Sequence, residues 1–311
     1  MNTKSADTKP KETKFAMIAI CGRPNVGKST LTNTIVGEKV AIVSNKPQTT
    51  RNRISGILNR GATQLCFIDT PGFHRPRTKL GDYMISVVKE SVADVDLALL
   101  MVEPIPSLGP QEQALIEQFR KRGVPAILVI NKIDELEEKD KLLAVIAAYQ
   151  KEFDFDAYIP ISAKTKEGVE DLLKSCEGYA VESEWFFSED DSSDQPERQM
   201  IAEIIREKML WNLDKEIPHG TAVEITRFSE RDSGVIDIDA TIYCEKASHK
   251  GIIIGKGGQM LKKISTQART DCERFMGTKV YLQTWIKVKE NWRDSDFMIR
   301  NFGYDIPKDE V

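Results

Sequence analysis

The sequence predicts an α/β domain followed by a smaller α+β domain, and three observations support that prediction. Short apolar runs alternate with helical patterns between residues 15 and 180, as in a doubly wound sheet. An acidic stretch at 181–196 follows, with six Asp or Glu and no Lys or Arg. From 197 to 311 the order becomes one helix, two alternating strands, two helices and a strand. We therefore expect a disordered polar tail at 1–14, a first domain at 15–180, a linker at 181–196 and a second domain at 197–311.

The individual elements follow from the apolar pattern. Continuous Val, Ile and Leu runs predict strands of a parallel sheet that is covered on both faces. In the first domain these runs are FAMIAICG, QLCFIDT, LALLMVE, PAILVINK and AYIPISA. Helical patterns lie between them at 28–36, 111–122, 139–153 and 169–175. The second domain is predicted to contain a helix at 197–213, the strands TAVEITRF, VIDIDATIYC and KVYLQTWIKV, and a helix–glycine–helix unit from 248 to 276.

Composition and charge exclude several classes of protein. With 41% hydrophobic residues, 30% charged residues and a formal net charge of -4, the chain is globular in composition, and any nucleic-acid footprint must be local. No apolar run approaches the roughly 18–20 residues that cross a bilayer. The polar N-terminus lacks the apolar region of a secretory signal. The five cysteines form no CxxC pair, so we expect a reducing, cytoplasmic compartment.

The segment GRPNVGKS, from Gly22 to Ser29, is a predicted phosphate-binding loop. It matches GxxxxGK[ST], follows a predicted strand and opens a predicted helix, which is the context that the motif requires. Backbone N–H groups would wrap the phosphates, Lys28 would reach the β- and γ-phosphates, and Ser29 would ligate Mg²⁺. The predicted nucleotide-binding residues of this loop are Gly22, Asn25, Val26, Gly27, Lys28, Ser29 and Thr30.

Two later motifs are predicted to select the base. NKID at 131–134 follows a strand, and the Asp134 carboxylate can accept hydrogen bonds from guanine N1–H and N2–H₂, which adenine does not offer. SAK at 162–164 follows the next strand, where backbone N–H groups can meet guanine O6. We therefore expect GTP and GDP as ligands. The predicted base-site residues are Asn131, Lys132, Asp134, Ser162, Ala163 and Lys164.

The DTPG motif at 69–72 also ends a strand. Asp69 would hold Mg²⁺ through water, and Gly72 would bring its N–H to the γ-phosphate. In KPQTTRNR a threonine should close over Mg²⁺ and the γ-phosphate only when GTP is bound, and we favour Thr50 over Thr49. The predicted metal ligands are Ser29, Thr50 and Asp69, and the predicted catalytic residues are Lys28, Thr50, Gly72 and Asn25.

Phe73 follows DTPG, where small Ras-like GTPases have a glutamine that orients the attacking water. We therefore expect slow intrinsic hydrolysis and another organiser of the water. K⁺ is one candidate, with Asn25 as an extra oxygen ligand near the phosphates. The alternative is that Asn25 makes a hydrogen bond that shapes the loop. Arg51 and Arg53 are interpreted as solvated charges in preference to functional ones.

The segment IIIGKGGQML at 252–261 places GxxG between two predicted helices. The KH fold uses such a loop to clamp about four nucleotides. Between Lys246 and Lys289, ten Lys or Arg stand against two Asp or Glu, a net charge of +8, as phosphate contacts require. The predicted RNA-binding residues are Ile254, Gly255, Lys256, Gly257, Gly258, Lys262 and Lys263.

The remaining aromatic residues and the isoleucines before GxxG are interpreted structurally. Those isoleucines should pack the first helix of the pair. Core or interdomain packing is favoured over base stacking for Tyr281, Trp285 and Trp292. In the acidic segment, docking on a domain surface is favoured for Trp185, Phe186 and Phe187.

Taken together, these motifs resemble a known family. GRPNVGKST, QTTR, DTPG, NKID and SAK resemble the translation-factor-related GTPases, and IIIGKGG with KVKENWRDSDFMIRNFGY is similar to the Era GTPases. The resemblance covers Phe15 to Tyr304. It implies a P-loop Ras-like GTPase domain joined to a type II KH domain, binding near the 3′ end of small-subunit ribosomal RNA, and a role in assembling the 30S subunit. It also implies peripheral association with the inner membrane, and we expect a monomer.

Two other interpretations stay open at this stage. One is a GTPase that signals at membranes and uses its C-terminal module for protein contacts. The other is an enzyme that uses ATP.

Overall fold

The N-terminal half is built on a seven-stranded sheet. A computed structural model describes residues 12–73, 76–138 and 140–304. The strand order is β2-β3-β1-β4-β5-β6, with β7 paired to the start of β1. The strands are β1 (Lys14–Gly22), β2 (Ile54–Arg60), β3 (Thr63–Asp69), β4 (Leu97–Val102), β5 (Ala126–Ile130), β6 (Ala157–Pro160) and β7 (Val181–Glu182). The helices are α1 (Lys28–Val36), α2 (Lys79–Ser91), α3 (Pro110–Arg122), α4 (Asp140–Gln150) and α5 (Val169–Glu177).

The five strands predicted from apolar runs are parallel as expected, but the sheet is mixed because it contains two further strands that were not predicted. β1, β3, β4, β5 and β6 run parallel, whereas β2 is antiparallel to β3 and β7 is antiparallel to β1. β2 and helix α2 have no counterpart among the predicted elements. β1 begins at Lys14, the last residue of the predicted tail, whose residues 1–11 lie outside the described part of the chain.

Apolar cores cover both faces of this sheet, which explains the unbroken apolar runs in its strands. Ile18 and Ile20 of β1 pack into the core beside α1 and α5. The alternating residues Ala19 and Cys21 pack into the core beside α3 and α4. Side chains alternate between the two faces of a strand, so both registers must be apolar.

The C-terminal half is a three-stranded sheet that packs against helices on one face. Its elements are α6 (Glu197–Asn212), β8 (Ala222–Glu230), β9 (Ile236–Cys244), α7 (Ala247–Ile254), α8 (Gln259–Met276), β10 (Val280–Val288) and α9 (Asp296–Asn301). β8 is antiparallel to β9 and β10 is parallel to it, in the order β10-β9-β8. The α-β-β-α-α-β order agrees with the predicted one, to which the structure adds α9.

The acidic segment 181–196 lies against the first sheet. Its aromatic residues dock there: Trp185 Nε1 donates to the Ala62 carbonyl at 3.2 Å, and Phe187 packs against a small cluster that contains Phe15. The Phe186 ring centroid lies 4.4 Å from that of Phe15. This arrangement matches the docking that the sequence favoured.

The packing predicted for the other aromatic residues and for the isoleucines before GxxG is only partly observed. Trp292 is fully buried, as expected, but Tyr281 and Trp285 are 49% and 46% exposed, so core packing is wrong for both. They alternate with core residues along β10 and lie on the sheet face away from the helices. Among the isoleucines before GxxG, Ile253 is buried and Ile252 is exposed, so the packing prediction is wrong for Ile252.

The two halves share an apolar cluster and a buried cation. Leu80, Tyr83 and Met84 of α2 pack with Trp292 and Phe302. Arg51 is 1% exposed, and its guanidinium donates to the carbonyls of Thr221 and His219, each at 2.8 Å. The solvated-charge interpretation is therefore wrong for Arg51, whereas Arg53 is exposed. Within the described ranges, no helix is long and apolar enough to cross a membrane.

Candidate nucleotide site and RNA-binding loop

The predicted nucleotide motifs meet at one edge of the first sheet. The phosphate-binding loop follows β1, DTPG overlaps the end of β3, NKID follows β5 and SAK follows β6. These strands are parallel, so their carboxyl ends share one edge. The order reverses at β1, which has β3 on one side and β4 on the other. Such a reversal in an open α/β sheet leaves a crevice where ligands bind.

Backbone conformation in the phosphate-binding loop depends on glycine. Gly27 has φ 102°, and a Cβ there would lie 2.3 Å from Asn131 Nδ2. Gly72, across the site, passes so close to Pro24 that its Cβ would lie 2.7 Å from the Pro24 Cα. Backbone N–H groups can line the site only because these positions lack a side chain.

Lys28 is buried in the loop. Its ammonium group donates to the carbonyls of Gly22 at 3.1 Å and Arg23 at 2.9 Å. Burial lowers the pKa of Lys28, and the Asp69 carboxylate acts in the opposite direction. Two backbone carbonyls thus hold the Lys28 ammonium group at the N-terminus of α1. An ammonium group in this position is well placed to bind a phosphate.

Two hydroxyl groups and one carboxylate lie close together beside Lys28. Ser29 Oγ donates to Asp69 Oδ2 at 2.5 Å and lies 2.8 Å from Thr50 Oγ1. Asp69 Oδ1 is buried and lacks a hydrogen-bond partner among the described residues. Burial raises the pKa of Asp69 to about 6, against the effects of Lys28, Ser29 and Thr50. An orphaned carboxylate oxygen beside two hydroxyl groups fits the all-oxygen ligand set of Mg²⁺.

Thr50, and not Thr49, is the threonine at this group. The Thr49 hydroxyl donates to the Lys46 carbonyl at 2.6 Å and lies 2.9 Å from Ser44 Oγ. Asn25 Nδ2 donates to the Asn45 carbonyl at 2.8 Å, which joins the phosphate-binding loop to the segment that contains both threonines. Phe73 packs partly into the core and its amide donates to the Gly22 carbonyl at 3.1 Å. Its ring has no group that could orient water.

Asn131 holds the base side of the site together. Asn131 is buried, its Nδ2 donates to the Val26 carbonyl at 2.8 Å, and its Oδ1 accepts from the Ala163 amide at 2.9 Å. One side chain thus joins three loops. Asp134 and Lys164 are exposed, so their polar groups are accessible to a base.

Most of the predicted residues line a single cavity of about 300 Å³, which is in the size range of small-ligand pockets. Those that line it are Asn25, Gly27, Lys28, Ser29, Thr30, Thr50, Gly72, Asn131, Lys132, Asp134, Ala163 and Lys164. Those that do not line it are Gly22, Val26, Asp69 and Ser162.

Glu103 belongs to none of the predicted motifs, and it pairs with Lys132. The Lys132 ammonium donates to Glu103 Oε1, and Lys132 has φ 66°. Glu103 directly follows β4. Its position at a strand end on the ligand edge of the sheet is the signal that could have identified it.

The GxxG loop projects from the C-terminal half between α7 and α8. Gly255, Gly257 and Gly258 have φ values of 73°, 57° and 79°, a region that side chains disfavour. Lys256, Lys262 and Lys263 are exposed, whereas Ile254 is half-buried and packs against the core. The structure therefore brings the predicted RNA-binding lysines to one exposed end of the helix pair.

These two sites define the class of protein. A P-loop with NKID, DTPG and SAK at one sheet edge marks a guanine-nucleotide-binding P-loop GTPase. Residues 17–132 match the family model described as a 50S ribosome-binding GTPase, and residues 216–293 match the model of the KH domain. The chain is thus a P-loop GTPase with a KH domain.

Comparison with known proteins gives the family. GTPase Era of Ruminiclostridium cellulolyticum is 54% identical over 94% of this chain and 97% of its own length, and GTPase Era of Clostridioides difficile is 48% identical over 94% and 98%. A crystal structure of Era with MgGDPNP and nucleotides 1506–1542 of 16S ribosomal RNA superposes with a TM-score of 0.91, 36% identity, and coverage of 94% and 100%. A crystal structure of an Aquifex aeolicus Era variant bound to GDP·AlF4⁻ gives the same values. The chain belongs to the Era family of GTPases, which hydrolyse GTP to GDP and phosphate.

Proposed function

We propose that the chain is a GTP-controlled switch that binds the 3′ region of 16S ribosomal RNA through its KH domain and assists assembly of the 30S subunit. The observation that carries this proposal is the superposition, over 94% of the chain, on an Era structure in complex with that RNA. The exposed Gly255–Gly258 loop and its lysines supply the chemistry for a sugar–phosphate backbone. The nucleotide bound in the cavity of the first domain would control this RNA binding.

We propose Mg²⁺ as the resident cofactor, held by Ser29, Thr50 and Asp69. The orphaned Asp69 oxygen and the two adjacent hydroxyl groups support this set. Bound there, Mg²⁺ would neutralise charge on the β- and γ-phosphates. Lys28 adds a second positive charge on the same phosphates, and the Gly72 amide serves the γ-phosphate. K⁺ stays a prediction, with Asn25 as its proposed ligand.

The proposed control depends on Thr50. The Thr50 hydroxyl can contact Mg²⁺ and the γ-phosphate only when GTP is bound. GTP therefore favours the conformation in which the segment around Thr50 is closed over the nucleotide, and GDP does not. Arg51, the next residue, is buried against the C-terminal half. A movement of Thr50 would therefore also move Arg51, which contacts the C-terminal half. This coupling supports a position of the KH domain that depends on bound GTP.

The division at 15–180, 181–196 and 197–311 remains our proposal for the domain boundaries. The docked segment 181–196 then acts as a fixed connection more than as a loose linker. A monomeric state and peripheral membrane association stay predictions.

The test is the affinity for a 16S 3′-end RNA oligonucleotide with a non-hydrolysable GTP analogue and with GDP. We expect tighter binding with the analogue. The double variant G257D/G258D should abolish binding, and G257N/G258N should retain most of it, because Asn and Asp tolerate the left-handed backbone similarly and only Asp adds charge. Equal affinity in both nucleotide states would refute the control, and full binding by G257D/G258D would refute the RNA site.

A further inference from the structure

Helix α6 of the C-terminal half runs along the segment that carries Thr50. Trp211 Nε1 donates to the Val43 carbonyl at 3.0 Å, and Glu207 Oε1 accepts from the Val43 amide at 2.9 Å. Near the end of the helix, the Lys46 ammonium donates to the Leu213 carbonyl. The backbone of Val43 and the side chain of Lys46, both in the nucleotide-binding half, are thus bonded to this helix and to the residue that follows it.

Arg206 makes the contact of this helix that lies nearest to Thr50. Its guanidinium donates to the carbonyl of Gln48 at 3.5 Å and to the carbonyl of Thr49. These two carbonyls belong to the residues that immediately precede Thr50. Gln48 has φ 58°, a left-handed conformation that a side chain disfavours, and the Arg206 guanidinium bonds to the carbonyl of this unfavourable backbone.

The Arg206 side chain is itself fixed. It is 1% exposed, and Glu203, one helical turn before it, accepts from Nε at 2.8 Å and from Nη2 at 2.5 Å. This bidentate pair with partly buried Glu203 holds the planar guanidinium in one orientation. On the other side of Thr50, Arg51 is bonded to Thr221 and His219. Thr50 is therefore bracketed by two buried arginine contacts between the halves.

We propose that Arg206 is a positioning residue for GTP hydrolysis. It acts through the carbonyls of Gln48 and Thr49, which set the backbone of Thr50 and hold its hydroxyl 2.8 Å from Ser29 Oγ. The KH-bearing half thereby completes the catalytic site of the other half. This inference rests on the proposed role of Thr50 at Mg²⁺ and the γ-phosphate.

The test compares steady-state GTP hydrolysis of the full chain in wild type, R206A, R206K and R198A. Arg198 lies exposed on the same helix, away from the nucleotide-binding half, and is the matched control. R206A should lower kcat by about tenfold, since hydrogen bonds from a charged donor are worth roughly one such factor. It should also raise the Mg²⁺ concentration needed for half-maximal rate. R206K, which keeps the charge and loses the fork, should be intermediate, and R198A should match wild type.

Two further measurements separate positioning from folding. Affinity for GDP should stay within about twofold in R206A, because GDP lacks the γ-phosphate that Thr50 serves. In a double-mutant cycle, R206A should have almost no effect on kcat in a T50A background, whereas general destabilisation would add to the T50A loss. Additive losses, or a wild-type kcat in R206A, would overturn the proposal. If T50A itself kept full activity, the role of Thr50 would fail first and this inference with it.

Discussion

Asp134 lies exposed at the cavity, whereas Asn131 is buried and bonded to two other loops. The buried amide builds the site and the exposed carboxylate is accessible to read the base. D134N should weaken GTP binding about 100-fold, because an amide N–H₂ would face the guanine donors and a charged hydrogen-bonded pair is worth about 3 kcal/mol. Affinity for XTP should rise, since xanthine carries an oxygen in place of the N2 amino group.

Competition of GTP, XTP and ATP against a labelled guanine nucleotide measures this change. Glu135 is a neighbouring carboxylate that also lines the cavity, so E135Q is the matched control and should bind GTP like wild type. Base selection by Asp134 would be contradicted if D134N kept its GTP affinity. The wild type should bind ATP far more weakly than GTP, because adenine lacks the two donors that Asp134 accepts.

His219 gives a pH dependence at the contact between the halves. Burial, and then the nearby Arg51 cation, lower the pKa of His219; Arg293 and Lys46 act in the same direction and Glu216 opposes them. The folded state therefore favours neutral His219, and its contribution to stability is complete above the unfolded pKa of about 6.5 and lost as pH falls through the lower folded value.

We expect the free energy of unfolding to fall below pH 6.5, by at most about 1.4 kcal/mol per pH unit for this one proton. H219Q, which cannot take up a proton, should lose less stability over the same range. Urea unfolding of both proteins between pH 7 and pH 5.5 tests this difference. Equal pH dependence in the two proteins would mean that other groups cause it.

Residues whose chemistry is carried by a recognisable motif were predictable even where their partners lie far along the chain, whereas a residue that no known motif chemistry explains was not. The motif spacing identified Thr50 and Asp69, and in the structure their side chains lie together beside Ser29. The same reasoning assigned Arg51 to solvent, because the carbonyls that bury it belong to His219 and Thr221, far along the chain. No local pattern carries that information.

At the scale of elements, strand β2 shows why the sheet was only partly predictable. Its sequence, ISGILNR, contains Gly, Ser, Asn and Arg and lacks a continuous apolar run. It lies at the edge of the sheet beside β3, and an isolated bridge joins Gly56 to Ser193 on its other side. Ser55 and Gly56 are buried in β2 although neither is a large apolar residue, so burial here leaves no apolar run in the sequence. The central strands, covered on both faces, gave clear apolar runs and were predicted.

Two tryptophans in neighbouring elements of the C-terminal half allow a matched test of packing. Trp292 is fully buried against α2, and its Nε1 donates to the Gly220 carbonyl at 2.9 Å. W292A should lower the free energy of unfolding by about 3–5 kcal/mol, the usual cost of removing a buried aromatic side chain. W285A should cost less than about 1 kcal/mol, because Trp285 is half-exposed on the outer face of β10.

Chemical denaturation of both variants gives these energies. W292F, which retains the ring packing and loses the bond to Gly220, should fall between wild type and W292A. An equal cost for W285A and W292A would contradict the assignment of α2 and Trp292 to one shared core.

At the scale of the whole molecule, the formal charge of -4 conceals a local concentration of positive charge. Lys262 and Lys263 are exposed on the first turns of α8, directly after the GxxG loop. Binding to RNA phosphates releases counterions, so affinity falls with salt in proportion to the number of lysine–phosphate contacts. An acidic protein can therefore bind RNA, provided that its contacts are confined to this end.

The number of lysine–phosphate contacts can be measured from the salt dependence of RNA affinity. For single-stranded RNA each phosphate contact contributes about 0.7 to the slope of log K against log salt, so K262A/K263A should reduce the slope by about 1.4 if both lysines bind phosphates. K89A/K121A removes the same charge from exposed positions in the other half and should leave the slope unchanged. If both pairs reduced the slope equally, the RNA would respond to the net charge of the protein, and the surface beside Gly255–Gly258 would not be its binding site.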